Sequence, residues 1–200
     1  MDFSSLNHAI ALSGGIATGK SSVCTLLKLL GFSIIDADMV AKECLNEEKL
    51  AIKELFGDEY LIDNQIDRKK LATLIFSDTF AKESLEKLLH PKIREKIFQK
   101  AKDLEKFKIN YIIDIPLFFE TNSYDIKNVI VVYAPKEIQL DRMVKRDGFK
   151  YDEAILRLNA QLDIEDKRQK ATFLIDNSKD LKHLQKEVDR CVEWIKTIKD

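Results

Sequence analysis

The chain has almost no surplus charge: 33 Lys and Arg stand against 34 Asp and Glu, a formal net charge of −1. That balance gives no electrostatic footing for a nucleic-acid partner or an anionic membrane surface. Cysteine is scarce, limited to Cys24, Cys44 and Cys191. Such a scattered, odd set builds neither a disulfide framework nor a zinc site and suits a reducing cytosol, so a cytoplasmic protein is expected. Long apolar runs are missing, which argues against a membrane-spanning helix. Met1 to Asn7 has no positive stretch leading into an apolar one, so no signal peptide is expected. There is no internal repeat, no low-complexity segment and no Asn-Lys-x-Asp motif to read a guanine base. What remains is the composition of a soluble globular chain, 45% apolar and 34% charged. Its length suits one domain, or a core with inserted subdomains.

One stretch organises the rest. Gly14-Gly15-Ile16-Ala17-Thr18-Gly19-Lys20-Ser21 fits the phosphate-loop pattern G-x-x-x-x-G-K-[ST]. The apolar run His8–Leu12 before it reads as a buried strand. After it, Val23, Leu26, Leu27 and Leu30 are spaced as one face of a helix from Ser21 to Leu30, which Gly31 caps. A loop wrapped round a polyphosphate must turn successive N–H groups inward, through dihedrals that glycine adopts at little steric cost. The helix start adds its dipole and its unpaired amides. Lys20 can reach the outer phosphates, and the Ser21 hydroxyl can ligate Mg²⁺. A glycine turn that binds nothing would leave the Lys-Ser pair without a reason.

Further along, Phe32–Ile35 reads as a second strand delivering Asp36-Ala37-Asp38. These carboxylates can orient Mg²⁺ or take a proton from an attacking hydroxyl; equally, Asp38 can simply cap a helix from Met39 to Leu45. The charged block Glu47–Phe107 has no evident strand. Helices are expected at Lys49–Phe56, Arg68–Phe76, Thr79–Leu88 and Pro91 to about Lys106, with Pro91 in a first turn and turns at Gly57-Asp58 and Asp63-Asn64. This reads as an inserted helical subdomain, in which His90 is either a structural hydrogen-bonder or a ligand. Tyr111–Ile115 is a third strand, on which Asp114 is either a metal carboxylate or a turn-former before Pro116. Val129–Tyr133 is the clearest strand, and Pro135 opens a helix to about Asp147. Arg142–Lys170 is rich in cations, among them Arg142, Arg146, Arg157 and Lys167. Gly148 breaks it into a helical hairpin, which is either a lid over a nucleotide or a solvated charged pair; for any single cation the solvated face is favoured. A fifth strand, Phe173–Asn177, and a helix from Leu181 to Ile198 complete the chain.

From about Ile10 to Arg190 these pieces resemble the dephospho-coenzyme A kinase family. The resemblance rests on Asp36-Ala37-Asp38, Leu89-His90-Pro91-Lys92-Ile93, Asp114 to Glu120, Gln139–Arg142 with Arg146-Asp147, Arg157, Ala160-Gln161, Lys167 to Ala171 and Ile175 to Ser178, in that order. It implies an α/β P-loop kinase domain with a five-stranded parallel sheet in order 2-3-1-4-5. The implied core is 8–46, 108–140 and 171–200, with a helical acceptor-binding insertion at 47–107 and a lid at 141–170. It implies transfer of the γ-phosphate of ATP, with Mg²⁺, to the ribose 3′-hydroxyl of dephospho-coenzyme A. On that reading Asp38 is the base, and Gly14 to Ser21 with Ser22 hold the triphosphate. Arg146 meets the transferring phosphoryl group with Arg142 assisting, and Asn177 lies near the adenine. Ser21, Asp36 and Asp114 are the metal candidates. His90, Pro116, Leu117 and Arg157 stand on the acceptor side. A monomer or weak homo-oligomer is expected, with no nucleic-acid or membrane partner. Ala17 replaces a usual glycine and is expected to keep a negative φ; Lys42 stands where Arg is frequent, and Phe118-Phe119 is bulkier than the usual pair.

Overall fold

The computed structural model describes residues 1–198; the sequence segment 171–200 therefore ends on two residues outside the described ones. The strands are β1 (Ala9–Gly14), β2 (Ile34–Asp36), β3 (Leu61–Ile62), β4 (Gln65–Ile66), β5 (Tyr111–Asp114), β6 (Asn128–Tyr133) and β7 (Phe173–Asp176). The helices are α1 (Lys20–Leu29), α2 (Ala37–Glu47), α3 (Lys49–Phe56), α4 (Arg68–Ser77), α5 (Thr79–Glu105), α6 (Phe118–Thr121), α7 (Lys136–Lys145), α8 (Tyr151–Asn159), α9 (Ile164–Gln169) and α10 (Leu181–Thr197).

Five strands form a parallel sheet ordered β2-β5-β1-β6-β7. Counting only these five along the chain, the order is 2-3-1-4-5. β1 lies at the centre, with Ile10 opposite both Ile112 and Asn128. Strands covered on both faces need continuous apolar runs rather than alternation, which is why β1, β5 and β6 are almost wholly buried. One face packs Ile10, Leu12, Ile112, Ile130 and Ile175 against Val23 and Leu27 of α1 and Leu184, Val188 and Cys191 of α10. Each such side chain contributes about 1.5–3 kcal/mol by leaving water. Trp194 stacks on Phe173 with ring centroids 5 Å apart to the nearest ångström (4.9 Å). All three cysteines are buried free thiols.

Chain contacts divide the molecule into two units. One comprises Met1 and Asp36–Lys100. In it α2 and its C-cap Glu48 are laced to α5 by ion pairs, Lys92 to Glu48 at 2.7 Å and Lys96 and Lys100 to Glu43 at 3.2 and 3.1 Å. These solvent-screened pairs fix register more than they add stability. Two expectations fail here. The block contains strands after all: β3 and β4 form an antiparallel hairpin around Asp63-Asn64. Both turn residues have positive φ, 49° and 61°, as a tight hairpin turn requires. The turn was legible, but two-residue strands are too short to show a period. Second, Pro91 does not start a helix; it lies inside the continuous α5, which replaces the two helices expected there.

The other unit comprises Asp2–Ile35 and the chain from Ala101 onward. α1 ends as expected: Gly31, at φ 93°, donates to Lys28 O and Phe32 donates to Leu27 O, a Schellman closure. The cationic stretch is not a two-helix hairpin. α7 stops at Lys145, Gly148 turns the chain at φ 75°, and a further helix, α9, follows α8 behind an Asp163 N-cap.

Candidate functional site

β1 delivers Gly14 at its carboxyl end, the edge of an α/β sheet where ligands bind, and the loop enters α1 at Lys20. At three loop glycines an added side chain would crowd a neighbour. A Cβ on Gly14 would lie 2.8 Å from Thr18 Oγ1, one on Gly15 2.8 Å from Gln139 Oε1, and one on Gly19 2.1 Å from Asn177 Nδ2. Ala17 contradicts the expected negative φ: it sits at 58°. The left-handed conformation costs an L-residue about 1–2 kcal/mol, and alanine, with only a methyl group, is the smallest residue that bears it. The loop's carbonyls meet donors. Gly15 O accepts from Thr18 N and Oγ1, Gly19 O from Ser22 N and Val23 N, and Gly14 O from Lys167 Nζ. Arg142 donates to Ala17 O at 3.2 Å and Thr18 O at 3.4 Å, and Asn177 Nδ2 donates to Thr18 O at 2.8 Å. The amides of Lys20 and Ser21, in the first turn of α1, have no carbonyl four residues back to pair with. Unpaired amides, a helix dipole and a lysine together make an anion cradle.

Lys20 Nζ lies 2.6 and 2.7 Å from the two oxygens of Asp114, at the end of β5. The Asp114 carboxylate thus lies against the phosphate-loop lysine. Cys24 Sγ donates to the same carboxylate at 3.3 Å. Burial and then the Asp114 charge push the Cys24 thiol up to about 12, so it stays protonated. For Mg²⁺ the donor chemistry fits: the Ser21 hydroxyl and Asp114 carboxylate are hard oxygens. No group of three or more His, Cys, Asp or Glu that could hold a metal occurs among the described residues.

The remaining sequence candidates are spread. Arg142 spends its guanidinium on backbone, adding a 2.8 Å bond to Asn177 O. Burial, then the neighbouring Arg146 charge, hold it below its ordinary pKa. Arg146 is exposed and turned onto Asp147 at 2.7 Å. Arg157 pairs with Glu153 and covers the Phe149 ring, 4.5 Å from its centroid. Pro116 O accepts from Ser13 Oγ, and Leu117 is an exposed N-cap of α6. Ser22 is exposed in the first turn of α1. In the other unit, Asp36 rather than Asp38 caps α2, accepting from Met39 N at 3.0 Å. Asp38 is exposed and lies inside the first turn of α2, one position past its first residue, so it is not the cap. His90 is exposed on α5 beside Pro91.

Three polar residues at the loop had no individual role in the sequence reading. Lys167, expected on a solvated face, is completely buried; Glu120 meets it at 2.6 Å. Gln161 Oε1 accepts from Ile16 N at 2.9 Å. The available signal was that all three fall in segments carrying the family resemblance.

Comparison with known proteins agrees with this geometry. A family model described as dephospho-CoA kinase matches residues 8–183. A Sulfurimonas denitrificans protein named dephospho-CoA kinase is 53% identical over 189 residues, 94% of each chain. One of the same name from Wolinella succinogenes is 46% identical over 194 residues, 96% of each chain. Among solved structures, the dephospho-CoA kinase from Campylobacter jejuni matches with a TM-score of 0.76 at 35% identity, covering 94% of this chain and 96% of that one.

Proposed function

Because the chain belongs to the dephospho-CoA kinase family, we propose a division of labour among its residues for that family's reaction. The enzyme transfers the γ-phosphoryl group of ATP to the ribose 3′-hydroxyl of dephospho-coenzyme A, the last step of coenzyme A synthesis. The phosphate loop, Gly14 to Ser22, holds the triphosphate. Lys20 shares its ammonium between Asp114 and the outer phosphates. Asp38 accepts the 3′-hydroxyl proton as that oxygen attacks phosphorus, and the β-phosphate oxygen leaves with ADP. Loop amides and Lys20 take up the charge gathering on the leaving oxygens. Ser21 and Asp114 would hold Mg²⁺, with Asp36 secondary because one of its oxygens already caps α2. That ion, when bound, neutralises phosphate charge. Arg146 exchanges Asp147 for the transferring group, and Arg142 assists through the loop backbone. Asn177 borders the adenine. His90, Pro116, Leu117 and Arg157 serve the acceptor, with the helical insertion, read as 47–107, as its platform and 141–170 as the lid.

The protein acts in the cytoplasm, as a monomer or weak homo-oligomer and without a nucleic-acid or membrane partner. No helix among the described residues is long and apolar enough to cross a membrane. The observation that carries the reading is the carbonyl-capped loop whose helix-start amides remain for phosphate. Purified protein with ATP, Mg²⁺ and dephospho-coenzyme A should yield the 3′-phosphorylated product. Nucleosides, gluconate and shikimate should be poor acceptors; no product from dephospho-coenzyme A overturns the assignment.

A further inference from the structure

A loop that aims its amides inward must aim its carbonyls outward, and each carbonyl removed from water needs a donor. Most donors here are local or neutral. Two donors are cations distant in sequence: Arg142 is only partly buried, whereas the side chain of Lys167 has no solvent exposure. Burying an ammonium is costly unless charge and hydrogen bonds compensate it, so an apolar side chain would serve packing alone. Lys167 Nζ is compensated twice, by Gly14 O at 3.0 Å and Glu120 Oε1 at 2.6 Å. The same Glu120 oxygen accepts from Leu162 N at 3.1 Å, fixing the backbone that leads into α9. One turn before Lys167 on α9, Ile164 packs over the next glycine; a Cβ on Gly15 would lie 3.5 Å from its Cδ1. The two α9 side chains thus cover two successive loop glycines.

We propose that Lys167, charge-balanced by Glu120, is a positioning residue for the nucleotide: from outside, it holds the first turn of the phosphate loop in its anion-binding form. It acts on the Gly14 carbonyl rather than on phosphate, so its effect is preorganisation, which sets how much ordering the nucleotide must drive on binding. The proposal rests on the kinase reading above and adds which partner the residue serves. Its loss should weaken the donor and spare the acceptor.

The test compares Lys167→Met, Lys167→Arg and Glu120→Gln with the wild type. Affinity for a non-hydrolysable ATP analogue is measured by calorimetry, and KM for each substrate by steady-state kinetics. Lys167→Met should raise the analogue Kd and the KM for ATP about tenfold or more, while the KM for dephospho-coenzyme A stays within about twofold. Lys167→Arg, which keeps charge and donors, should recover part of the loss. Glu120→Gln should shift ATP in the same direction by less. A folded Lys167→Met variant with wild-type analogue affinity overturns the proposal, as does an equal rise in both KM values. Should Lys167→Met fail to fold, unchanged analogue affinity in Glu120→Gln overturns it. Wild-type protein that binds the analogue yet leaves dephospho-coenzyme A unmodified would sink the acceptor assignment instead, and the calorimetric comparison would still decide this one.

Discussion

Asp36 and Asp38 stand two positions apart and differ in what surrounds them. Asp36 satisfies an amide of the first turn of α2, while Asp38 is exposed within that turn. Asp36→Ala should therefore cost about 1 kcal/mol of stability, the ordinary worth of an N-cap, read as a lowered denaturation midpoint. Asp38→Asn should fold, bind an ATP analogue normally and slow transfer by about 10²–10⁴-fold, the range of a general base. Near-normal turnover in Asp38→Asn would remove it from the chemistry. Lys20→Ala takes away the ammonium facing Asp114 and the phosphates. It should weaken analogue binding and cut turnover by at least about 10²-fold; wild-type kinetics would contradict the loop assignment. At this scale legibility depended on where the partner lies in the chain. Gly14 to Ser21 could be read because the whole anion cradle is one continuous segment. Lys167 could not, because its partner is a backbone carbonyl 153 positions away, and a lysine beside Glu165 and Asp166 has the pattern of a solvated helix.

Among the elements, the sheet strands and α1 were readable because each announces itself locally, by an unbroken apolar run or by one helical face. Boundaries moved where hydrogen bonding outran hydrophobicity: β1 continues through Ser13 to Gly14, past the apolar run that marks it. α5 replaces the two helices expected there because proline is a good signal for a first turn and a poor one against a helix held by neighbours. Within α5, Pro91 has no N–H to give the Lys87 carbonyl, and its ring crowds that group. Lys96 and Lys100 pair with Glu43 of α2 and Lys92 with Glu48, its C-cap, which helps the helix continue through the defect. Pro91→Ala should therefore stabilise the protein, by up to about 3 kcal/mol, seen as a higher thermal midpoint. If the proline is kept to set the backbone at His90, the same variant should lose kcat/KM for dephospho-coenzyme A while its ATP-analogue affinity holds. A gain in stability with unchanged acceptor kinetics would return His90 to a structural role.

For the molecule as a whole, acid sensitivity should concentrate in a few partly buried carboxylates that tie helices to strand ends. Glu105, the last residue of α5, accepts from His8 N at 3.0 Å and Tyr111 OH at 2.9 Å, and faces His8 Nδ1 at 3.0 Å. It thereby joins α5 to the starts of β1 and β5. Burial pushes its pKa up, but the bonds from His8 and Tyr111 outweigh burial and leave it below its ordinary 4.5. Glu187 of α10, which accepts from Asp176 N at 3.1 Å and pairs with Arg190 at 2.7 Å, is likewise held below 4.5 against burial. A carboxyl whose folded pKa lies below its unfolded one binds protons more readily unfolded. Its contribution is complete above the unfolded value and drains away as pH falls through the folded one. Stability should accordingly hold from neutrality down to about pH 5 and decline below 4.5, as these two groups are titrated. Urea midpoints at stepped pH measure this directly. Glu105→Gln should be less stable near neutrality, because the charge facing His8 is gone, and its acid decline should be shallower by the share Glu105 supplied. Parallel profiles for wild type and variant would mean that the α5-to-strand joint carries none of the acid response.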